Sequence, residues 1–94
     1  MGAWEKLTPS EKECYYLTGN GFKQCEISIL KNVETGVIRT HMHNGKIKAE
    51  SDTPEEALRV FSSAGHIPPM PDNEKKKCRK IVTDYIAKYG PKKG

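Results

Sequence analysis

The sequence predicts an α+β fold: a three-stranded antiparallel meander, four-stranded if the N-terminal segment joins it, with amphipathic helices packed on one face. Three observations carry that expectation. Two neighbouring segments alternate apolar and polar residues. An Asn44-Gly45 pair stands just after the second of them. Two later segments place a helix cap ahead of apolar residues at helical spacing.

Taken in order, Thr8-Pro9-Ser10-Glu11 opens with a helix-start pattern: a capping Thr8, Pro9 at the first helical position and Glu11 completing a capping box. The helix is expected to end near Leu17, before Gly19. Cys14-Tyr15-Tyr16-Leu17 has strand preference, so a strand turning through Asn20-Gly21 is the competing reading. Residues 23–31 alternate, with Cys25, Ile27 and Ile29 on one face and Gln24, Glu26, Ser28 and Leu30 on the other. Residues 37–43 set Ile38, Thr40 and Met42 opposite Val37, Arg39, His41 and His43. A two-residue turn at Asn44-Gly45 pairs Met42 with Ile47 and Arg39 with Glu50. The preceding hairpin, with its loop at 32–35, sets Cys25 against Met42 and Glu26 against His41, so both turns agree on one buried face.

Asp52-Thr53-Pro54-Glu55-Glu56 repeats the capping pattern ahead of Ala57, Leu58, Phe61 and Ala64, and Gly65 should stop that helix. Ile67-Pro68-Pro69-Met70-Pro71 reads as an extended connector. A last helix capped by Asp72 is expected to bury Cys78, Ile81, Val82, Tyr85, Ile86 and Tyr89 and to end at Gly90-Pro91. The chain is expected to be a single domain over 1–94, with 90–94 a flexible basic tail.

Composition narrows the function classes. The 94 residues leave room for one core, and hydrophobic residues are 35% with mean hydropathy −0.74, polar for a globule but too patterned for disorder. No apolar run approaches the roughly 20 residues of a membrane span, and no signal-peptide core follows the start. A soluble, cytoplasmic protein is expected. Cys14, Cys25 and Cys78 are odd in number and lack Cys-x-x-Cys spacing, which points to reduced, buried thiols rather than a disulfide framework or zinc site. Residues 73–94 hold eight bases against Glu74 and Asp84, whereas residues 1–72 hold eight bases against ten acids. The asymmetry points to an anionic partner for the C-terminal part or to a solubilising surface.

The sequence therefore offers two candidate binding surfaces for nucleic acid or another anionic partner. One is the polar face of the meander, with Arg39, His41, His43, Lys46 and Lys48. The other is the Lys-rich start of the last helix, with Lys75, Lys76, Arg79 and Lys80. Three strands followed by the Thr53-Pro54-Glu55-Glu56-Ala57 helix start resemble, over about residues 22–65, plant AP2-type and phage-integrase arm-type DNA-binding domains. The resemblance implies a sheet that meets DNA with the helix packed behind it. This sheet lacks the tryptophans and dense arginines of those domains.

The main expectation is a non-enzymatic binding or regulatory module that contacts nucleic acid. The first alternative is a protein-binding regulator or inhibitor that sets its Lys-rich helix against an acidic partner. The second is a small enzyme with a metal at His41 and His43, beside Glu26. No cofactor, metal site or membrane contact is expected, because no fourth ligand, Cys–His pair or phosphate loop accompanies these residues.

Overall fold

The computed structural model describes residues 2–91. From residue 92 onward the expected basic tail lies outside the described residues. Six helices follow one another: α1 (Ala3–Lys6), α2 (Pro9–Gly19), α3 (Gln24–Lys31), α4 (Thr35–Lys48), α5 (Pro54–Ser63) and α6 (Asp72–Tyr89). Among the described residues there is no strand. The expected α+β meander is therefore wrong: its first two strands are α3 and α4, and the Asn44-Gly45 turn lies inside α4.

Several helix ends follow local chemistry, but α6 does not start as expected: Pro71, not Asp72, stands at its N-cap and no side chain caps it. Thr8 Oγ1 accepts the Glu11 N–H at 3.2 Å while Glu11 Oε1 accepts the Thr8 N–H at 3.0 Å, closing the expected capping box of α2. Thr53 caps α5 through the Glu56 N–H at 3.1 Å. Gly65, with φ 82°, follows the end of α5, and Gly90, with φ 82°, ends α6. Between α3 and α4, Asn32 adopts the left-handed conformation (φ 54°) that asparagine tolerates better than most residues. Among the described residues no helix is long and apolar enough to cross a membrane.

Helix α4 is the centre of the packing and touches α1, α2, α3 and α5. Thr35, Ile38, Met42 and Gly45 are its buried positions, spaced three and four apart. Of these, Ile38 and Met42 meet Cys14, Tyr15 and Leu17 of α2, Ile27 of α3, and Ala57 and Phe61 of α5 in one cluster. Tyr15 is fully buried. Its hydroxyl donates to the Met42 carbonyl oxygen at 2.6 Å, and its ring meets Phe61 edge-on at 5.2 Å. Phe61 in turn meets Trp4 edge-on, and Trp4 stacks on His66 with centroids 5.2 Å apart, which closes α1 over the end of α5. Asn20, read from sequence as a turn residue, instead ties down the 66–71 connector. Its Nδ2 donates to the Pro68 carbonyl at 3.2 Å and its Oδ1 accepts the Met70 N–H at 2.7 Å, which buries Met70.

The three thiols are free. Cys14 is buried, and burial pushes its pKa up to about 11, whereas Cys25 and Cys78 are half-buried.

Position 45 gives the sharpest test of this packing. A Cβ there would overlap the Tyr15 ring, whereas one at Gly36 in the same helix meets nothing within 4 Å. Gly45→Ala should cost about 1–3 kcal/mol by overpacking, although alanine is the better helix former. Gly36→Ala should be neutral or stabilising by up to about 1 kcal/mol. Chemical denaturation of both variants checks the pair; equal effects would contradict the Tyr15–Gly45 contact.

Candidate functional site

On a helix, the residues assigned to one polar sheet face scatter. Arg39, His43 and Lys46 are spaced i, i+4 and i+7 and share one flank of α4, while His41 and Lys48, seven apart, lie on the other. His41 and His43, two apart, point away from each other. Among the described residues no group of three or more His, Cys, Asp or Glu side chains could hold a metal ion. Glu26 is likewise not beside His41. It lies in the first turn of α3, accepting the Lys23 N–H at 2.8 Å and pairing with Arg79 Nη1 at 3.1 Å.

Several of the candidate bases have work inside the fold. Lys48 pairs with Glu11 at 2.6 Å, joining the end of α4 to the start of α2. Lys46 donates to the Asp52 carbonyl at 3.1 Å, and Lys80 pairs with Asp84 one turn along α6. Arg79 is the anchor of α6: besides Glu26, it donates to the Gly21 carbonyl at 3.2 Å and lies over the Phe22 ring at 4.3 Å. The side chains of Arg39, His43, Lys75 and Lys76 make no hydrogen bond or ion pair among the described residues. Without a sheet there is no platform joining the two basic groups, and the DNA-contacting face implied by the resemblance does not exist.

The feature that sequence reasoning missed is the outer half of α6. The helix packs on α3, but it has 18 residues against eight, about 27 Å against about 12 Å of axis. Val82 is its one buried residue; Cys78 and Tyr85 are half-buried. Ile81, Ile86 and Tyr89, expected in the core, are 52%, 38% and 66% exposed. Tyr85 and Tyr89 pack on each other with centroids 4.9 Å apart. The stripe is as periodic as the sequence suggested, but it is covered only along Cys78, Val82 and Tyr85: Ile81 and Ile86 fall on either side of that line, and Tyr89 lies on it beyond the reach of the short α3. The signal available in the sequence was this mismatch of lengths, hidden while residues 23–31 were read as a strand.

A second feature is a cleft of about 210 Å³ walled by Thr18, Phe22, Lys23, Gln24, Met42, Pro54, Glu55 and Leu58. It lies where the end of α2 and the starts of α3 and α5 meet the middle of α4. No protein-family model matches the chain, and no curated protein or solved structure is significantly similar to it.

The Glu11–Lys48 pair sets an acid limit on stability. Burial raises the Glu11 pKa, but the Lys48 hydrogen bond, the Thr8 N–H and the charges of Lys48 and His41 outweigh it, and the carboxyl is held below its usual 4.5. Because the folded pKa is depressed, the stabilisation is full above the unfolded value and is lost as pH falls through the folded one. Glu11→Gln should cost about 1–2 kcal/mol at neutral pH, and the difference from the parent should shrink below pH about 4. Urea titrations at neutral pH and at a pH near 3 check both statements.

Proposed function

We propose that this protein is a non-enzymatic binding module that uses the outer half of α6 to dock on an acidic protein partner with an apolar groove. The observation that carries the reading is the exposure of Ile81, Ile86 and Tyr89 on a helix whose other positions are rich in lysine. Exposed aliphatic and aromatic side chains gathered on one element mark interaction surfaces, and tyrosine is favoured at interface cores. Lys76, Lys77, Lys80 and Lys88 are exposed on the same helix, which carries six bases against Asp72, Glu74 and Asp84. Such a flank favours an acidic rim on the partner and speeds encounter with it. Contacts to phosphates would call on the lysines and leave Ile81 and Ile86 without a role, so a protein groove fits the helix better than nucleic acid. Three unpaired thiols suit the cytoplasm as the place of action.

The variants Ile81→Ser, Ile86→Ser and Tyr89→Ser test the reading because they touch exposed positions. Ile81→Ser should leave folding stability within about 0.5 kcal/mol of the parent, as surface substitutions usually do, whereas Ile86→Ser, at a position 38% exposed, and Tyr89→Ser, which loses the Tyr85 contact, should cost up to about 1 kcal/mol. Each should also weaken retention of the partner from native-cell extract by at least fivefold, about the loss that marks a contributing interface residue. Lys76→Glu with Lys80→Glu should weaken it further at low salt, and nuclease treatment should have no effect. Retention abolished by nuclease, or unchanged in all of these variants, would overturn the proposal.

A further inference from the structure

The cleft between α2, α3, α4 and α5 is lined by no residue of α6 and has the composition of a small-ligand site. Its floor is apolar: Phe22 and Met42 are almost fully buried, and Leu58 and Pro54 are half-buried. Thr18 adds no free donor, because its hydroxyl donates to the Cys14 carbonyl at 2.7 Å and stands 3.8 Å from Met42 Sδ. Polar chemistry is confined to the rim. Lys23 and Gln24 open α3 on one side, and Glu55 lies in the first turn of α5 on the other. Among the described residues the Lys23 ammonium, the Gln24 amide and the Glu55 carboxylate have no hydrogen-bond or ion-pair partner, and Lys23 and Glu55 do not pair with each other.

Size and charge together restrict what can enter. A volume of about 210 Å³ is roughly that of seven waters of liquid. It falls below the usual roughly 300–1,000 Å³ of drug-sized ligands, which leaves out nucleotides and long acyl chains. A wholly apolar guest would leave the exposed Lys23 and Glu55 hydrated and gain nothing from either charge. An apolar anion would satisfy Lys23 but be repelled by Glu55, and an apolar cation the reverse. A guest with an apolar body, one carboxylate and one ammonium satisfies every group.

We propose that the cleft binds a free α-amino acid with an apolar side chain. The side chain lies against Phe22, Met42 and Leu58, the carboxylate accepts from Lys23 Nζ and the Gln24 amide, and the ammonium donates to Glu55. Amide NMR titration of the whole protein with L-leucine, L-methionine and L-phenylalanine tests this. Shift changes should centre on Thr18, Phe22, Gln24, Met42 and Leu58 and saturate with Kd of about 1 mM or tighter for at least one of the three. N-acetyl-leucine, which lacks the ammonium, and leucinamide, which lacks the carboxylate, should each bind more weakly than leucine.

Exposed rim variants separate the two ends of the ligand. Glu55→Gln should weaken leucine about two- to fivefold, the span of a partly exposed ion pair, and tighten N-acetyl-leucine, whose carboxylate it no longer repels; Lys23→Met should weaken leucine likewise and tighten leucinamide. If none of the three amino acids shifts these residues at about tenfold the expected Kd, the proposal is wrong. Equal affinity for leucine, N-acetyl-leucine and leucinamide would also overturn it, leaving an apolar notch suited to a side chain of a protein partner.

Discussion

Tyr15 reaches the backbone of α4 only because position 45 has no side chain, and the packing of the other helices follows from that approach. Its hydroxyl takes the Met42 carbonyl as acceptor while its ring occupies the space a residue at 45 would fill. The burial that results pushes the phenol well above its ordinary pKa, with the charges of Glu55, Cys14 and Glu11 adding to the effect. A glycine inside a helix costs about 0.5–1 kcal/mol relative to alanine. Burying a whole tyrosine with its hydroxyl satisfied outweighs that cost. With α2 held against α4, Phe61 completes the aromatic contact from α5, and Trp4 brings α1 over it. The same approach leaves the cleft beneath Met42, where the ends of three helices meet the side of a fourth.

The starts of α2 and α5 and the stops of α5 and α6 were legible in the sequence, whereas α3 and α4 were not legible as helices at all. Capping at Thr8 and Thr53 works through local hydrogen bonds, and the stops at Gly65 and Gly90 through backbone conformation, so they can be read from a few adjacent residues. Residues 37–43 deceived because Val37, Ile38 and Thr40 are β-branched and alternate with polar neighbours, while Asn44-Gly45 is the commonest hairpin pair. A helical reading was present in Thr35, Ile38, Met42 and Gly45. It required treating a glycine as a core position, and the reason for that glycine is a tyrosine thirty residues earlier. Long-range packing thus overrode local preference. In α3, Ile27 and Leu30 point into the core at helical spacing, which Cys25, Ile27 and Ile29 imitated as a strand face.

The candidate site suffered from the same error. Once α4 is a helix, His41 and His43 separate, Lys48 turns to Glu11, and Arg79 becomes the anchor of α6 instead of a free base. What remains on the surface is less basic than the sequence suggested and more apolar, because α3 covers only part of the stripe on α6. That imbalance makes α6 two helices in energetic terms. One face of its first turns, through Val82, is held by Arg79, Cys78 and Val82. Its outer half has few buried contacts, which is the condition for a segment that opens easily and for a surface that gains by finding a partner.

Site-resolved amide hydrogen exchange tests this division most directly. Amides of 38–46 in α4 and 14–19 in α2 should exchange only through global unfolding, with protection that falls together when Gly45 is replaced. Amides of 84–89 should exchange by local opening, at least about tenfold faster, the factor given by roughly 1.4 kcal/mol less protection. Protection of 84–89 equal to that of α4 would contradict the account, and so would the pattern of a turn at Asn44-Gly45, with fast exchange there between protected neighbours.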